Sequence, residues 1–226
     1  MRALTERVNS FRALDDRETA FFLISQPATP NLPRIPGTTK EVLAIKQLLQ
    51  NHDPQVQVLC LEGEAATVNQ GTTNMEKHSC IHFACHAHQN TQEPLKSKFM
   101  LHDGGLELSE IIKKQLVGAD LAYLSACQTS AGDEKLSEEA VHLAAGMLAA
   151  GYRGVVATMW SISDRHGSQV AEDFYANLIS QDLEQERSSG LCTDGAAHAL
   201  HYSTQKLRKQ LGDSALDWIP YVHFGL

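Results

Sequence analysis

The stretch Leu121-Ala-Tyr-Leu-Ser-Ala-Cys-Gln-Thr-Ser-Ala-Gly-Asp133 joins an apolar run to a run of small and polar residues. Its first four residues predict a strand buried on both faces, as in a parallel sheet covered by helices. Cys127 stands where this predicted strand ends. Because loops at the carboxyl ends of parallel strands converge on one crevice, a cysteine in this place is a candidate nucleophile.

A second stretch, Cys80-Ile-His-Phe-Ala-Cys-His-Ala-His88, has the same organisation. It predicts a strand over residues 80–84, followed by a polar turn that contains His86. If the two predicted strands are neighbours, the imidazole of His86 and the thiol of Cys127 lie side by side at one edge of the sheet. A thiolate that attacks and an imidazole that transfers the proton are the minimum machinery of thiol catalysis.

The composition limits the class of protein. With 226 residues, of which 42% are apolar, the chain suits one α/β domain, with or without a short leader. A formal net charge of −8 disfavours nucleic acid as a partner, and no apolar run is long enough to span a membrane. The five cysteines are irregularly spaced, and the amino terminus lacks the apolar core of a signal peptide. Both features favour a reducing, cytoplasmic location.

Apolar runs and amphipathic segments alternate along the chain, which predicts a mainly parallel, roughly six-stranded sheet with helices on both faces. Predicted strands cover residues 21–24, 56–61, 80–84, 121–124, 153–160 and 220–226, with a hairpin over residues 99–108. Predicted helices cover residues 40–51, part of 62–78, 109–115, 133–151, 165–180 and 194–211. The expected N-terminal caps are Thr38 or Thr39 for the first of these helices, Ser109 for the third, and Thr193 or Asp194 for the last. Gly151 is expected to end the helix over residues 133–151. Residues 1–19 predict a leader helix or the end of an upstream region, and residues 20–226 the main domain.

Five motifs occur in one order along the chain. They are Leu32-Pro-Arg-Ile-Pro-Gly37, His82-Phe-Ala-Cys-His86, Leu124-Ser-Ala-Cys-Gln-Thr129, the run Leu148 to Trp160 with Asp164, and Trp218-Ile-Pro-Tyr-Val-His-Phe-Gly225. Together they resemble the CHAT domain, a caspase-like peptidase domain that is related to separase and commonly follows tetratricopeptide repeats. The last motif is similar to that of fungal members.

The resemblance implies a caspase-like three-layer α/β sandwich and a cysteine endopeptidase that requires no metal or organic cofactor. His86 matches the family's catalytic histidine and Cys127 its nucleophile. The backbone N–H groups of Ala87 and Cys127 would hold the oxyanion, although the family usually has glycine at position 87 and a methyl group there is expected to crowd the substrate carbonyl. The partners implied are a protein or peptide substrate and an upstream tetratricopeptide-type or sensor region that controls activity.

Three further residues are candidates for substrate binding. Asp164 and Asp133 are acids near the expected crevice, where a half-buried carboxylate would bind a basic P1 side chain. The alternatives are a helix N-cap for Asp164 and a solvated turn for Asp133. Trp160 is expected to form part of the core or the wall of the substrate pocket. His82 is expected to be a buried, hydrogen-bonded neighbour of the site.

Two other functions compete with peptidase activity. One is a catalytically silent, caspase-like module that only transmits signals between partners, in which Cys127 is a small buried residue. The other is a metal sensor built on the cysteines and histidines of residues 80–88. Their spacing is more compact than that of structural zinc sites, and strand alternation sends Cys80 and Cys85 to opposite faces, which disfavours zinc.

Overall fold

A computed structural model describes residues 19–90, 92–128, 139–160, 162–184, 191–212 and 214–225. Within these ranges, the side chains of residues 126–128, 139–142, 164 and 184 are outside the description. The predicted leader helix over residues 1–19 therefore lies almost entirely outside the described residues, and Asp133 lies outside them as well. The domain boundary near residue 20 stays a prediction.

One mixed sheet organises the described part of the chain. Its strands are β1 (Ala20–Ser25), β2 (Gln57–Glu62), β3 (Cys80–His88), β4 (Lys98–Met100), β5 (Gly105–Glu107), β6 (Leu121–Gln128), β7 (Gly154–Thr158) and β8 (Tyr221–Gly225). Six strands follow the order β2-β1-β3-β6-β7-β8. The first five of these are parallel, and β8 runs antiparallel to β7. The predicted mainly parallel sheet is thus confirmed, and the predicted hairpin, β4–β5, extends it by pairing with the end of β3.

Helices cover both faces of the sheet. They are α1 (Gly37–His52), α2 (Val68–Met75), α3 (Leu108–Lys113), α4 (Glu139–Ala150), α5 (Asp164–Glu184), α6 (Ala196–Leu211) and the short α7 (Ala215–Trp218). One apolar core lies between the sheet and α1, α5 and α6, and a second lies between the sheet and α2, α3 and α4. The result is the predicted three-layer sandwich.

The two strands that carry the candidate site are longer than the sequence predicts. β3 reaches His88 and β6 reaches Gln128, so His86 and Cys127 lie within paired strands and not in the turns after them. Apolar content falls at these ends, which is why the pattern predicts a break. The backbone of each strand nevertheless keeps a hydrogen-bonded neighbour there, and backbone pairing does not depend on side-chain hydrophobicity.

The expected helix caps are wrong. α1 follows Pro36 without a side-chain cap, and the hydroxyl of Thr38 instead donates to the Ile35 carbonyl at 2.9 Å. The helix after the hairpin begins at Leu108, where Glu107 precedes it without capping, so Ser109 is already inside the helix.

The start of α6 also differs from the prediction. It begins at Ala196, after Gly195, because Thr193 and Asp194 are used elsewhere. Thr193 donates to Asp120, and Asp194 forms an ion pair with Arg153 at the opposite end of β6 and β7 from the candidate site. Tertiary contacts thus outweigh local capping at this helix.

Gly151 ends α4, as predicted, and its backbone explains why. Its φ is +131°, and a Cβ atom there would lie 2.4 Å from the backbone oxygen of Leu116. We expect Gly151→Ala to lower the free energy of unfolding by about 3 kcal/mol in urea denaturation, from backbone strain and this clash. Gly63→Ala is the control, since its φ is +54° with no atom within 4 Å, and should cost about 1 kcal/mol. Equal losses of unfolding free energy in the two variants would contradict the role of the Leu116 contact.

Candidate functional site

The backbone brings the two candidate catalytic positions together. β3 and β6 are adjacent and parallel, and their register runs from the pair Cys80–Leu121 to the pair Ala87–Gln128. Within this register His86 is directly opposite Cys127. The prediction that the two strands are neighbours is confirmed at the level of the backbone.

The two neighbours of β6 pair with it over different lengths. β6 and β7 pair from Leu121 to Tyr123 only, whereas β6 continues to Gln128 along β3. The chain after β7 leads through Trp160 to α5, which lies on the same face as His82. The carboxyl edge of the sheet, where β6 ends, is the place at which parallel α/β folds bind their ligands.

His86 is held in one orientation by the backbone of a loop. Its side chain is only 4% exposed, and its Nε2 lies 2.8 Å from the carbonyl oxygen of Pro33. A carbonyl oxygen only accepts hydrogen bonds, so Nε2 must carry the proton. The other ring nitrogen, Nδ1, is buried and has no hydrogen-bond partner among the described side chains. Neutral His86 therefore presents an unprotonated nitrogen at Nδ1.

The loop that supplies the Pro33 carbonyl is tied to the sheet and to itself. The backbone N–H of Gln26 donates to the carbonyl of Ala84 on β3 at 2.9 Å, and that of Ile35 donates to Pro27 at 3.0 Å. Sequence reasoning missed Pro33 because a backbone carbonyl belongs to every residue. The proline-rich composition of the loop was the one available sign that its path is restricted.

His82 is a buried, hydrogen-bonded neighbour of the site, as predicted. Its Nε2 lies 2.8 Å from Oε1 of Glu41 on α1, and the side chains are 0% and 3% exposed. Its Nδ1 lies 3.4 Å from the hydroxyl of Tyr175 on α5. Sequence reasoning missed Glu41, although its position four residues before Ile45 placed it on the buried face of α1.

Ala87 sits differently from the expectation. Its methyl group belongs to the apolar core on the face of the sheet opposite His86, so it does not lie beside the imidazole. In register, Ala87 is flanked by Phe99 of β4 and Gln128 of β6. Any use of its backbone N–H by a substrate therefore requires this pairing to loosen locally.

Of the three candidate substrate-binding residues, the structure describes Trp160 in full, Asp164 only in its backbone, and Asp133 not at all. The indole N–H of Trp160, just after β7, donates to the backbone oxygen of Leu216 at 2.9 Å. Asp164 is the first residue of α5, and its side chain is outside the description. A Cβ atom on Gly167 would lie 3.7 Å from Ser125 Oγ, so the first turn of α5 packs close to β6.

Two of the other cysteines are poor nucleophiles in the folded protein. Burial raises the pKa of the Cys80 thiol far above its ordinary value, and the nearby Asp120 carboxylate raises it further. Burial also raises the pKa of the half-buried Cys60 thiol, which Lys46 only partly offsets. Both thiols are therefore protonated at neutral pH, and the protonated form is the unreactive one.

The metal-sensor alternative finds no support in the strand geometry. Cys80 packs in the core beside α1 and α5, whereas Cys85 packs in the core on the other face. Among the described residues, no three potential ligands lie close enough to share a metal ion.

None of the described helices is both long enough and apolar enough to cross a membrane.

Comparisons with known proteins agree with this architecture. The sequence pattern of the CHAT domain matches residues 2–225, so the chain belongs to the CHAT-domain family. Gingipain R, described as an Arg-specific cysteine proteinase, superposes with a TM-score of 0.64 at 11% identity over 98% of this chain and 51% of its own. The complex of pro- and mature domains of RgpB from Porphyromonas gingivalis gives a TM-score of 0.61 at 11% identity, over 97% of this chain and 51% of the other. The chain thus spans about half the length of these structures, and it shares their caspase-like fold. No curated protein matches it.

Proposed function

We propose that this protein is a cysteine endopeptidase of the caspase-like clan, with Cys127 as nucleophile and His86 as the proton-transfer group. One observation carries the proposal: His86 faces Cys127 in register while its Nε2 is engaged by the Pro33 carbonyl. Residues paired across neighbouring strands share a face of the sheet, so the two positions belong to one face. The gingipain fold and the CHAT family support the same reaction class.

The acylation step uses Nδ1 of His86, the ring nitrogen that is not bonded to the Pro33 carbonyl. The Cys127 thiolate attacks the scissile carbonyl carbon, and the carbonyl electron pair moves to oxygen to give a tetrahedral oxyanion. As the oxyanion collapses, the C–N bond breaks and protonated His86 gives its Nδ1 proton to the departing amine. The products are a free amine and a thioester on Cys127.

Deacylation reverses the proton flow. Neutral His86 accepts a proton at Nδ1 from a water molecule, whose oxygen attacks the thioester carbonyl. The C–S bond then breaks, which releases the carboxylic acid and restores the thiolate. Throughout, the Pro33 carbonyl accepts from Nε2 and holds the imidazole in one orientation, as a carboxylate does in other catalytic triads. The backbone N–H groups of Cys127 and Ala87 are the proposed oxyanion donors, with local loosening of the strand pairing at Ala87 as part of the proposal.

The substrate is proposed to be a protein segment with a basic P1 side chain. In support of this, Asp164 begins the helix whose first turn packs near Ser125, two residues before Cys127. Trp160 would form a wall of the same pocket, and Asp133 would contribute further negative charge. Control by an upstream repeat or sensor region is part of the proposal, since the CHAT family resemblance implies it.

Selective alkylation tests the nucleophile without a known substrate. With limiting iodoacetamide at neutral pH, we expect Cys127 to be labelled at least about 10-fold faster than Cys60 or Cys192, because an active-site cysteine is largely thiolate. Mass spectrometry of the digested protein measures the rate at each cysteine. Cys127→Ser should abolish the fast reaction and leave the slow ones unchanged.

The same experiment on urea-unfolded protein provides the baseline, in which all five cysteines should react alike. Uniform reactivity in the folded protein as well would reject the peptidase proposal. It would favour instead the silent regulatory module, in which Cys127 is only a packing residue.

A further inference from the structure

The contact between His82 and Glu41 is a buried acid–imidazole pair that the proposed reaction does not use. Every polar atom of the pair has a neighbour, since Glu41 Oε2 also accepts from Ser168 Oγ at 3.4 Å and His82 Nδ1 is near Tyr175. The ring of Tyr123 stacks on that of His82 with centroids 4.9 Å apart. Apolar residues of similar size often stabilise a core as well as such a pair, so stability alone does not explain its presence.

The pair joins the two elements that also hold the catalytic imidazole. His82 and His86 lie four residues apart on the same face of β3. Glu41 lies on α1, eight residues after Pro33, whose carbonyl accepts from His86. The strand and the loop–helix segment are therefore linked at two polar contacts, Glu41–His82 and Pro33–His86, about 13 Å apart along the strand.

A series of hydrogen bonds connects the first contact to the second. The Ser168 hydroxyl lies 3.3 Å from the carbonyl oxygen of Gly37, where α1 begins, and 3.4 Å from Glu41 Oε2, so its single proton is shared between these two acceptors. The next residue, Thr38, donates to the carbonyl of Ile35 at 2.9 Å, which is two residues from Pro33. Ser168 and Thr38 thus supply short-range contacts between Glu41 and the segment that carries the Pro33 carbonyl.

We infer that Glu41 and His82 are positioning residues that hold the Pro33 carbonyl against Nε2 of His86. The inference rests on the proposed function only in that His86 is the catalytic imidazole. Apolar packing of α1 through Ile45 and Leu49 is non-directional and allows the helix to shift along the sheet. The directional Glu41–His82 contact fixes that shift, and so keeps the unprotonated nitrogen of neutral His86 at Nδ1.

The test compares Glu41→Leu, Glu41→Gln and the double variant E41L/H82L with wild type. The double variant removes both polar groups, so it avoids stranding one of them in the core and should stay folded. His52→Leu is the matched control: it removes another histidine–acid contact of α1 with α5, His52–Asp182 at 3.2 Å, at the far end from Pro33. Thermal unfolding of each variant reports on the fold.

Two readouts separate positioning from a general structural role. The first is the ¹⁵N NMR spectrum of the histidine rings, with His86 assigned by loss of its signals in His86→Gln. Wild type should show a single Nε2–H tautomer, and both leucine variants a mixture. The second is peptide hydrolysis, in which E41L and E41L/H82L should lose about 30-fold in kcat with KM within about 2-fold, since small misplacements of a catalytic group are costly.

Glu41→Gln keeps an acceptor oxygen for His82, so it should retain the His86 tautomer and stay within about 3-fold of wild-type kcat. His52→Leu should match wild type in both readouts. The inference is overturned if the folded double variant keeps the single His86 tautomer, or if its kcat falls no further than that of His52→Leu. Absence of hydrolysis by wild type would instead reject the proposed function, while the tautomer measurement would still decide the positioning role.

Discussion

Cys127→Ala is expected to abolish peptide-bond hydrolysis, lowering kcat/KM by at least about 10⁴-fold, because loss of the nucleophile removes the whole covalent route. A positional-scanning peptide library incubated with wild type and with the variant measures this effect. The same library reports the P1 preference, for which we expect Arg and Lys if Asp164 has the proposed role. The thermal unfolding midpoint should change little, since the substitution removes one sulfur atom.

Cys60→Ala is the matched control for this experiment. Cys60 lies on β2, three strands away from β6 in the sheet order, so its loss should leave turnover unchanged. Turnover that survives in Cys127→Ala would reject the assigned nucleophile. Turnover that disappears in both variants would point to a loss of fold, which the unfolding measurement detects.

His86→Ala is expected to lower kcat by about 10²–10⁴-fold, the usual contribution of a positioned acid–base group. KM should change much less, because the imidazole acts on the proton of the leaving amine and adds little to ground-state binding. His88→Ala is the matched control, since it lies two residues further along the same strand with an exposed side chain. A His86 variant with kcat within about 3-fold of wild type would contradict the proposed mechanism.

Alkylation of Cys127 in the His86 variant separates two roles of the imidazole. If His86 holds the thiol as a thiolate, its loss should slow labelling by iodoacetamide together with turnover. If it acts only as acid toward the leaving amine, labelling should stay close to the wild-type rate while turnover is lost. The buried Nδ1 of His86, which has no hydrogen-bond partner within the described part of the chain, is the atom on which both roles depend.

Much of the site was predictable because its signals are local. The apolar runs that become β3 and β6, and the polar residues at their carboxyl ends, are written in consecutive residues. Parallel strands separated by helices bring those ends to one edge, so the juxtaposition of His86 and Cys127 follows from the order of elements. The burial of His82 follows from strand alternation in the same way.

The ends of elements were less predictable. β3 and β6 continue through polar residues because each provides backbone partners for the other, and the hairpin adds a third strand beside His86. Helix starts near residues 38 and 109 were mispredicted because the Thr38 hydroxyl donates to the Ile35 carbonyl and the Ser109 hydroxyl to the Glu107 carboxylate, and neither helix has a side-chain cap. In each case a neighbour distant in sequence, or a competing local contact, outweighs the preference of a residue type for the end of a helix or strand.

By itself, the sequence determined the alternation of strands and helices, the two buried segments and the positions of the candidate pair His86 and Cys127, since each is a pattern of side chains along a few residues. The tertiary structure alone decided what orients that imidazole: the Pro33 carbonyl and, through α1, the Glu41–His82 contact. Every residue has a backbone carbonyl, so residue type does not reveal which carbonyl accepts a hydrogen bond from a side chain. A buried pair forms only when two elements pack, so neither partner can be found from a single segment of the chain.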